Sequence, residues 1–142
     1  MSFGYASNAT AVYQQNSVRG GVEGADPHQL ISMLLGGVIE RIAQARGYIT
    51  HGNVPGKGSS VARALAILGE LRGSLDHKAD PTLSGRLDSL YEYITRRLLH
   101  AQLNDDVAAL DEAISLLTPV REGWHGIRAS YLADRNALAG AL

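Results

Sequence analysis

The sequence predicts an all-α fold, an antiparallel up-down-up-down four-helix bundle with a mobile N-terminal arm. Three observations carry this. Apolar residues recur at spacings of three and four over most of residues 26–127, the period of a helix with one buried face. Asp, Asn and Ser stand where helices should begin, and glycine or a Gly-rich stretch stands where the first of them should stop. No segment alternates apolar and polar residues as a half-buried strand does.

Residues 1–24 form the arm. They are rich in Ser, Asn, Gln and Gly; Gly20, Gly21 and Gly24 interrupt any helix, and one short helical piece fits residues 9–16. The character changes at Asp26-Pro27-His28-Gln29, where Asp caps, Pro takes the first helical position and Gln completes a capping box. Ile31, Leu34, Leu35, Val38, Ile42, Ala45 and Ile49 then share one face as far as His51, where Gly52-Asn53 stops the helix. Residues 52–58 read as a loop. Ser59 or Ser60 caps a second helix carrying Val61, Leu65, Leu68, Leu71 and Leu75 and ending near Asp76.

After the connector His77-Lys78-Ala79, Asp80-Pro81 repeats the first start signal. The third helix aligns Leu83, Leu87, Leu90, Ile94, Leu98 and Ala101. Asn104-Asp105-Asp106 caps the fourth, which continues through Val107, Leu110, Ile114, Leu117 and Trp124 and has carboxylates at its electropositive end. Pro119 lies inside that pattern, where its ring crowds the carbonyl of Ser115 and removes one hydrogen bond. Both residues lie opposite Leu110 and Leu117, so the expectation is a kink rather than a stop. Residues 128–142 are Ala-rich, compatible with helix but without a clear partner face. The expected organisation is therefore arm 1–24, bundle 25–127 and tail 128–142.

A length of 142 residues with 45% hydrophobic content suffices for one buried core. No apolar run approaches the roughly 20 residues needed to span a bilayer, and mean hydropathy is −0.06, so no membrane insertion is expected. Met1-Ser2-Phe3-Gly4-Tyr5 has neither the basic region nor the apolar stretch of a secretory signal, which points to the cytoplasm. With no cysteine there is no disulfide, thiolate metal site or cysteine nucleophile. Thirteen basic residues against 14 acidic ones, with Arg96-Arg97 the only tight basic pair within a helix, provide no face for nucleic acid.

The chemistries that helical bundles host leave marks, and most are missing. A carboxylate-bridged di-iron site needs two Glu-x-x-His pairs, but Glu122-Gly123-Trp124-His125 stands alone at a helix end. A histidine phosphotransfer bundle is the alternative reading. His100 would carry the phosphoryl group, yet it lies within a turn of a helix end and lacks a flanking lysine. Gly56-Lys57-Gly58-Ser59 resembles the end of a phosphate loop without the earlier glycine or a preceding strand. No catalytic residue, metal site or cofactor is expected, and the chain is read as a binder of polypeptide.

Helix 2 is where residues exceed the needs of folding. Beside its core stripe of Val61, Ala64, Leu65, Leu68, Leu71 and Leu75 runs a stripe of Ala62, Ala66, Gly69 and Gly73. Mid-helix glycine costs up to about 1 kcal/mol relative to alanine, so two at this spacing need a reason. Either the small side chains admit a neighbouring helix of the bundle, or they form a shallow groove for a partner helix. Ile67, on the remaining side with Arg63, Glu70 and Ser74, makes the helix apolar over more of its circumference than a four-helix core requires. In the arm, Val12, Tyr13 and Val18 interrupt a polar segment. They serve either to dock on such a groove or as incidental hydrophobics in a tail.

Several segments in order resemble the flagellar secretion chaperones of the FliS family. They are Tyr13-Gln14-Gln15-Asn16-Ser17-Val18; Asp26-Pro27-His28-Gln29-Leu30-Ile31-Ser32-Met33-Leu34; Leu71-Arg72-Gly73-Ser74-Leu75-Asp76; and Leu87-Asp88-Ser89-Leu90-Tyr91-Glu92-Tyr93-Ile94-Thr95-Arg96-Arg97-Leu98-Leu99. Ala109-Leu110-Asp111-Glu112-Ala113-Ile114 and Val120-Arg121-Glu122-Gly123-Trp124 complete the set, so the resemblance spans residues 13–127. It implies a cytoplasmic bundle that binds the C-terminal segment of new flagellin, prevents premature polymerisation and passes its client to the export gate. Other flagellar regulators are further candidate partners. The client surface expected from these arguments comprises Ala62, Ala66, Ile67, Gly69, Gly73, Tyr91 and Tyr93. The resemblance further implies that Tyr13, Gln14, Asn16 and Val18 cover it when no client is bound. One departure is visible: Leu35-Gly36-Gly37 stands where the family usually has Tyr-Asp-Gly, so a polar contact from that turn is not carried over.

Overall fold

The structure, a computed structural model, describes residues 24–141, with side chains through Arg135. Among these residues there are five helices and no strand: α1 Pro27–Thr50, α2 Val54–Gly73, α3 Pro81–Asn104, α4 Val107–Gly126 and α5 Arg128–Ala141. The helices α1 to α4 form the expected all-α antiparallel bundle. Each packs on its neighbours in the order α2, α1, α4 and back through α3, with the α1–α2 contact the most extensive. Side-chain pairs fix the directions. Arg46 near the end of α1 meets Asp111 near the start of α4 at 2.7 Å, and Lys57 at the start of α2 meets Asp105 past the end of α3 at 2.7 Å.

The start signals operate as their chemistry requires. Asp26 accepts from the Gln29 amide at 2.8 Å while the Gln29 side chain accepts from the Asp26 amide at 3.0 Å, a complete capping box with Pro27 following. Asp80 and Asp106 cap α3 and α4 through the amides of Leu83 and Ala109. The helix α4 runs through Pro119 without stopping, as expected. Residues 128–141, expected only to be compatible with helix, form α5.

The loop expected at residues 52–58 is a correction: of these only Gly52-Asn53 stand between the helices, and residues 54–58 are already the start of α2. Gly52, at φ +68°, ends α1 in a Schellman arrangement, with its amide bonded to the Ile49 carbonyl and the Asn53 amide to the Tyr48 carbonyl. Asn53 then caps α2 directly, its side chain accepting from the Gly56 amide at 2.9 Å, with Pro55 in the first turn. Gly56 must lack a side chain because a Cβ there would sit 2.6 Å from the Tyr48 ring. Lys57, now helical, donates to the Gln102 carbonyl at 3.0 Å and so caps the far end of α3.

The core joins Leu34, Leu35, Val38, Ile42 and Ala45 of α1 to Val61, Ala64, Ile67, Leu68 and Leu71 of α2, with Tyr91, Ile94, Leu98 and Ala101 of α3 and Ala109, Leu110, Ala113 and Leu117 of α4. Ile67 is the second correction. It is 5% exposed and belongs to the core, not to an extra apolar side. At about 100° per residue, the buried arc of α2 runs from Ile67 to Val61 and turns toward α1, leaving Leu65 only half-buried. The apolar excess of this helix is used by its two neighbours. Leu35, at the departure from the family pattern, is 1% exposed and fills the core.

Candidate functional site

The wheel that buries Ile67 turns Ala62, Ala66, Gly69 and Gly73 away from the bundle. Ala62, Gly69 and Gly73 are exposed and Ala66 is half-buried. A Cβ added at Gly69 or Gly73 would meet nothing within 4 Å. Of the two accounts of these glycines, admission of a neighbouring helix is therefore excluded among the described residues. The small residues form an open face, not a groove between helices.

The two tyrosines expected beside them are placed elsewhere. Tyr91 is 3% exposed within the core, and burial pushes its phenol up to about 12. Tyr93 lies on the α3–α4 side, where its hydroxyl donates to Glu112 at 2.8 Å. That hydrogen bond raises the Tyr93 phenol and lowers the Glu112 carboxyl. Arg97 holds the same carboxylate at 2.8 Å, and the Arg96 guanidinium lies 5.9 Å from the Tyr93 ring centre. The structure thus brings Ala62, Ala66, Gly69 and Gly73 together, with Ile67 and Tyr91 in the core beneath and Tyr93 engaged with α4. Tyr13, Gln14, Asn16 and Val18 lie outside the described residues.

Next to the small-residue face, on the side of α2 that turns toward α1, the bundle opens into an apolar cleft of about 340 Å³. Pro27, His28, Leu30, Ile31 and Leu34 of α1 form one wall, Glu70 and Ser74 of α2 the other, and Trp124 and Tyr131 close the end. It exists because α5 is carried back over the start of α1. Arg128 holds Asp26 through both carboxylate oxygens, at 3.2 and 2.9 Å, and Arg135 approaches the same group at 3.7 Å. The Arg128 bond and the Gln29 amide bring the buried Asp26 carboxyl down to about 2.

His28 and Trp124 interlock beneath this ion pair. Their rings stack with centres 4.7 Å apart and planes 8° apart. The Trp124 indole donates to the His28 carbonyl at 2.9 Å, and His28 Nε2 donates to the Trp124 carbonyl at 2.7 Å. Arg128 can only donate, so its 3.1 Å contact makes His28 Nδ1 an acceptor and fixes the Nε2-protonated tautomer. The tilted Tyr131 ring lies 5.3 Å from His28. A rigid floor of stacked rings results, with an aliphatic wall above it.

One polar atom in the cleft stands out. Oε2 of Glu70 is buried and has no hydrogen-bond partner among the described residues; burial raises this carboxyl above its ordinary value. Glu70, His28, Arg128 and Tyr131 were not among the expected site residues. Glu70 read as one member of a mixed face, and nothing in helical spacing joins residues 26–28 to residues 124–131. The one available signal was Trp124, a large ring at the end of an apolar stripe. His100, the residue of the phosphotransfer alternative, is exposed near the end of α3 and bonded to Asp106 at 3.1 Å. Among the described residues, no group of three or more His, Asp or Glu is placed to hold a metal ion, and no helix is long and apolar enough to cross a membrane.

Comparison with known proteins agrees over nearly the whole chain. The family model described as "Flagellar protein FliS" matches residues 7–131. The flagellar secretion chaperone FliSB of Pseudomonas aeruginosa is 44% identical over 123 residues, covering 87% of this chain and 98% of that protein. The flagellar secretion chaperone FliS of Salmonella typhimurium is 35% identical over 134 residues, covering 92% and 99%. Its counterpart from Escherichia coli is 36% identical over 121 residues, covering 84% and 89%.

Proposed function

The chain belongs to the FliS family of flagellar secretion chaperones, and on that premise we propose that it binds the C-terminal segment of unassembled flagellin in the cytoplasm, keeps it from polymerising and delivers it to the export gate. The observation that supports this reading is the apolar cleft between α1 and α2, on the same helix α2 whose small residues leave an open face among the described residues. A segment that becomes helical on binding needs an apolar trough for its side chains and a surface its backbone can approach closely. The cleft supplies the first, and Ala62, Ala66, Gly69 and Gly73 supply the second. Ile67 and Tyr91 belong to the core and are not proposed as contacts of the client. Tyr93 acts through its bond to Glu112, setting the spacing of α3 and α4.

The arm joins the bundle just before Pro27, a wall of the cleft. In this reading Tyr13, Gln14, Asn16 and Val18 cover the client surface until flagellin displaces them. The carboxylates and basic residues of the outer faces remain for contacts with the gate and other flagellar regulators.

The test is a binding measurement with full-length flagellin and with flagellin lacking its C-terminal segment. Binding to the first and not the second is expected; equal binding to both, or to neither, would sink the proposal. Gly69→Leu and Gly73→Leu should weaken binding while the bundle melts no lower than the unaltered chain, because the added side chains enter open space among the described residues. Retained affinity in both would remove the α2 face from the client surface.

A further inference from the structure

We propose that Glu70 is a specificity-determining residue of the cleft, accepting a hydrogen bond from a lysine or arginine side chain that the bound client carries between its apolar anchors. This rests on the reading that the cleft receives the client. Glu70 is the only carboxylate among the cleft's lining residues, set among Pro27, Leu30, Ile31, Leu34 and Trp124, and the one other aliphatic polar side chain there, Ser74, is already bonded to the Leu71 carbonyl. Oε2 of Glu70 is out of solvent and without a partner among the described residues. Native chains satisfy nearly all such atoms, and an exception calls for a cause.

Two cations of the neighbouring elements are engaged elsewhere. Arg72, two residues along α2, grips Asp88 at 2.8 Å, and Arg128 across the cleft grips Asp26. The aliphatic stems of Lys and Arg suit an apolar trough, and their cationic heads suit a carboxylate removed from water. An apolar helix lacking such a cation would leave the carboxylate buried and unpaired, so the same group that favours the right client disfavours a merely greasy one. Burial raises the Glu70 carboxyl, and a cation brought beside it would favour its charged form again.

The experiment compares the unaltered chain with Glu70→Met and Glu70→Gln, using a peptide of the flagellin C-terminal segment and its single Lys→Ala and Arg→Ala variants. Loss of a charge-assisted hydrogen bond predicts affinity reduced about tenfold or more for Glu70→Met, with Glu70→Gln intermediate. The free Glu70→Met chain should melt no lower than the unaltered one, since an unpartnered carboxylate is removed. One cationic client residue should matter in the unaltered chain and cease to matter in Glu70→Met, the signature of a coupled pair. Unchanged or tighter binding by both variants, or client substitutions that cost all chains equally, overturns the role of Glu70 and leaves the client intact. No binding of the peptide by the unaltered chain overturns the client reading and this inference together.

Discussion

Replacing glycine by alanine should move stability in opposite directions at two positions of the same helix. At Gly69, inside α2, a Cβ would contact nothing within 4 Å, and no positive φ is involved. The substitution therefore acts on helix propensity alone, a gain of up to about 1 kcal/mol, or a rise of roughly 3–5 °C in melting temperature for a domain of this size. At Gly56, in the first turn, the new methyl would lie 2.6–2.8 Å from Cδ1, Cε1 and Cγ of Tyr48. Tyr48 is half-buried, so either its ring turns out of its place or the junction of α1 and α2 opens, at a cost of about 1–3 kcal/mol, typical of overpacking. Thermal melts followed by far-UV circular dichroism measure both. A destabilised Gly69→Ala would mean that the face is not open, and an undisturbed Gly56→Ala would mean that Tyr48 does not close the turn. Either result would refute the account of how α2 begins and which way it faces.

Ile67→Ala should cost about 2–5 kcal/mol, read from the urea midpoint, because Ile67 is a core residue; a loss near zero would return it to the surface. The Asp26 carboxyl is held at about 2 against an ordinary 3.8, so its contribution is present above about pH 4 and disappears as pH falls toward 2. Asp26→Asn should flatten this part of the stability profile, which melts across that acid range would show. Among the described residues, α5 meets the bundle through Arg128, Tyr131 and Arg135, so its amides should exchange with solvent faster than those of α1 to α4. Arg128→Ala should accelerate them further and shift the emission of Trp124, the single tryptophan. Unchanged exchange in α5 would show that the ion pair does not hold it.

Much of this architecture could be read from local chemistry. Asp26-Pro27-His28-Gln29 contains its own N-cap, proline and capping-box partner within four residues, so it needs no distant help to start a helix. Asp80-Pro81 supplies its own cap and proline likewise, without a capping-box partner. The loop expected at residues 52–58 failed because Gly and Pro punctuate both loops and first turns. Only the contact between Gly56 and Tyr48, and the reach of Lys57 to the end of α3, show which applies here. Ile67 failed for a related reason. Periodicity tells which residues share a face, but how wide an arc is buried depends on where the neighbouring helices lie.

The sequence by itself determined the helices of the bundle, most of the buried stripe and, through ordered segments from Tyr13 to Trp124, the family. These properties depend on residues within a few turns of one another. Tertiary structure alone decided that Gly69 and Gly73 face outward, that Tyr91 is core while Tyr93 is tied to Glu112, and that a cleft exists. The clasp of Asp26, His28, Trp124 and Arg128 joins groups about 100 positions apart. No periodic pattern encodes such a meeting, because it arises only when the last helix is packed back over the first. The Glu70 oxygen that has no partner among the described residues was invisible for the same reason, since its burial depends on what packs around α2.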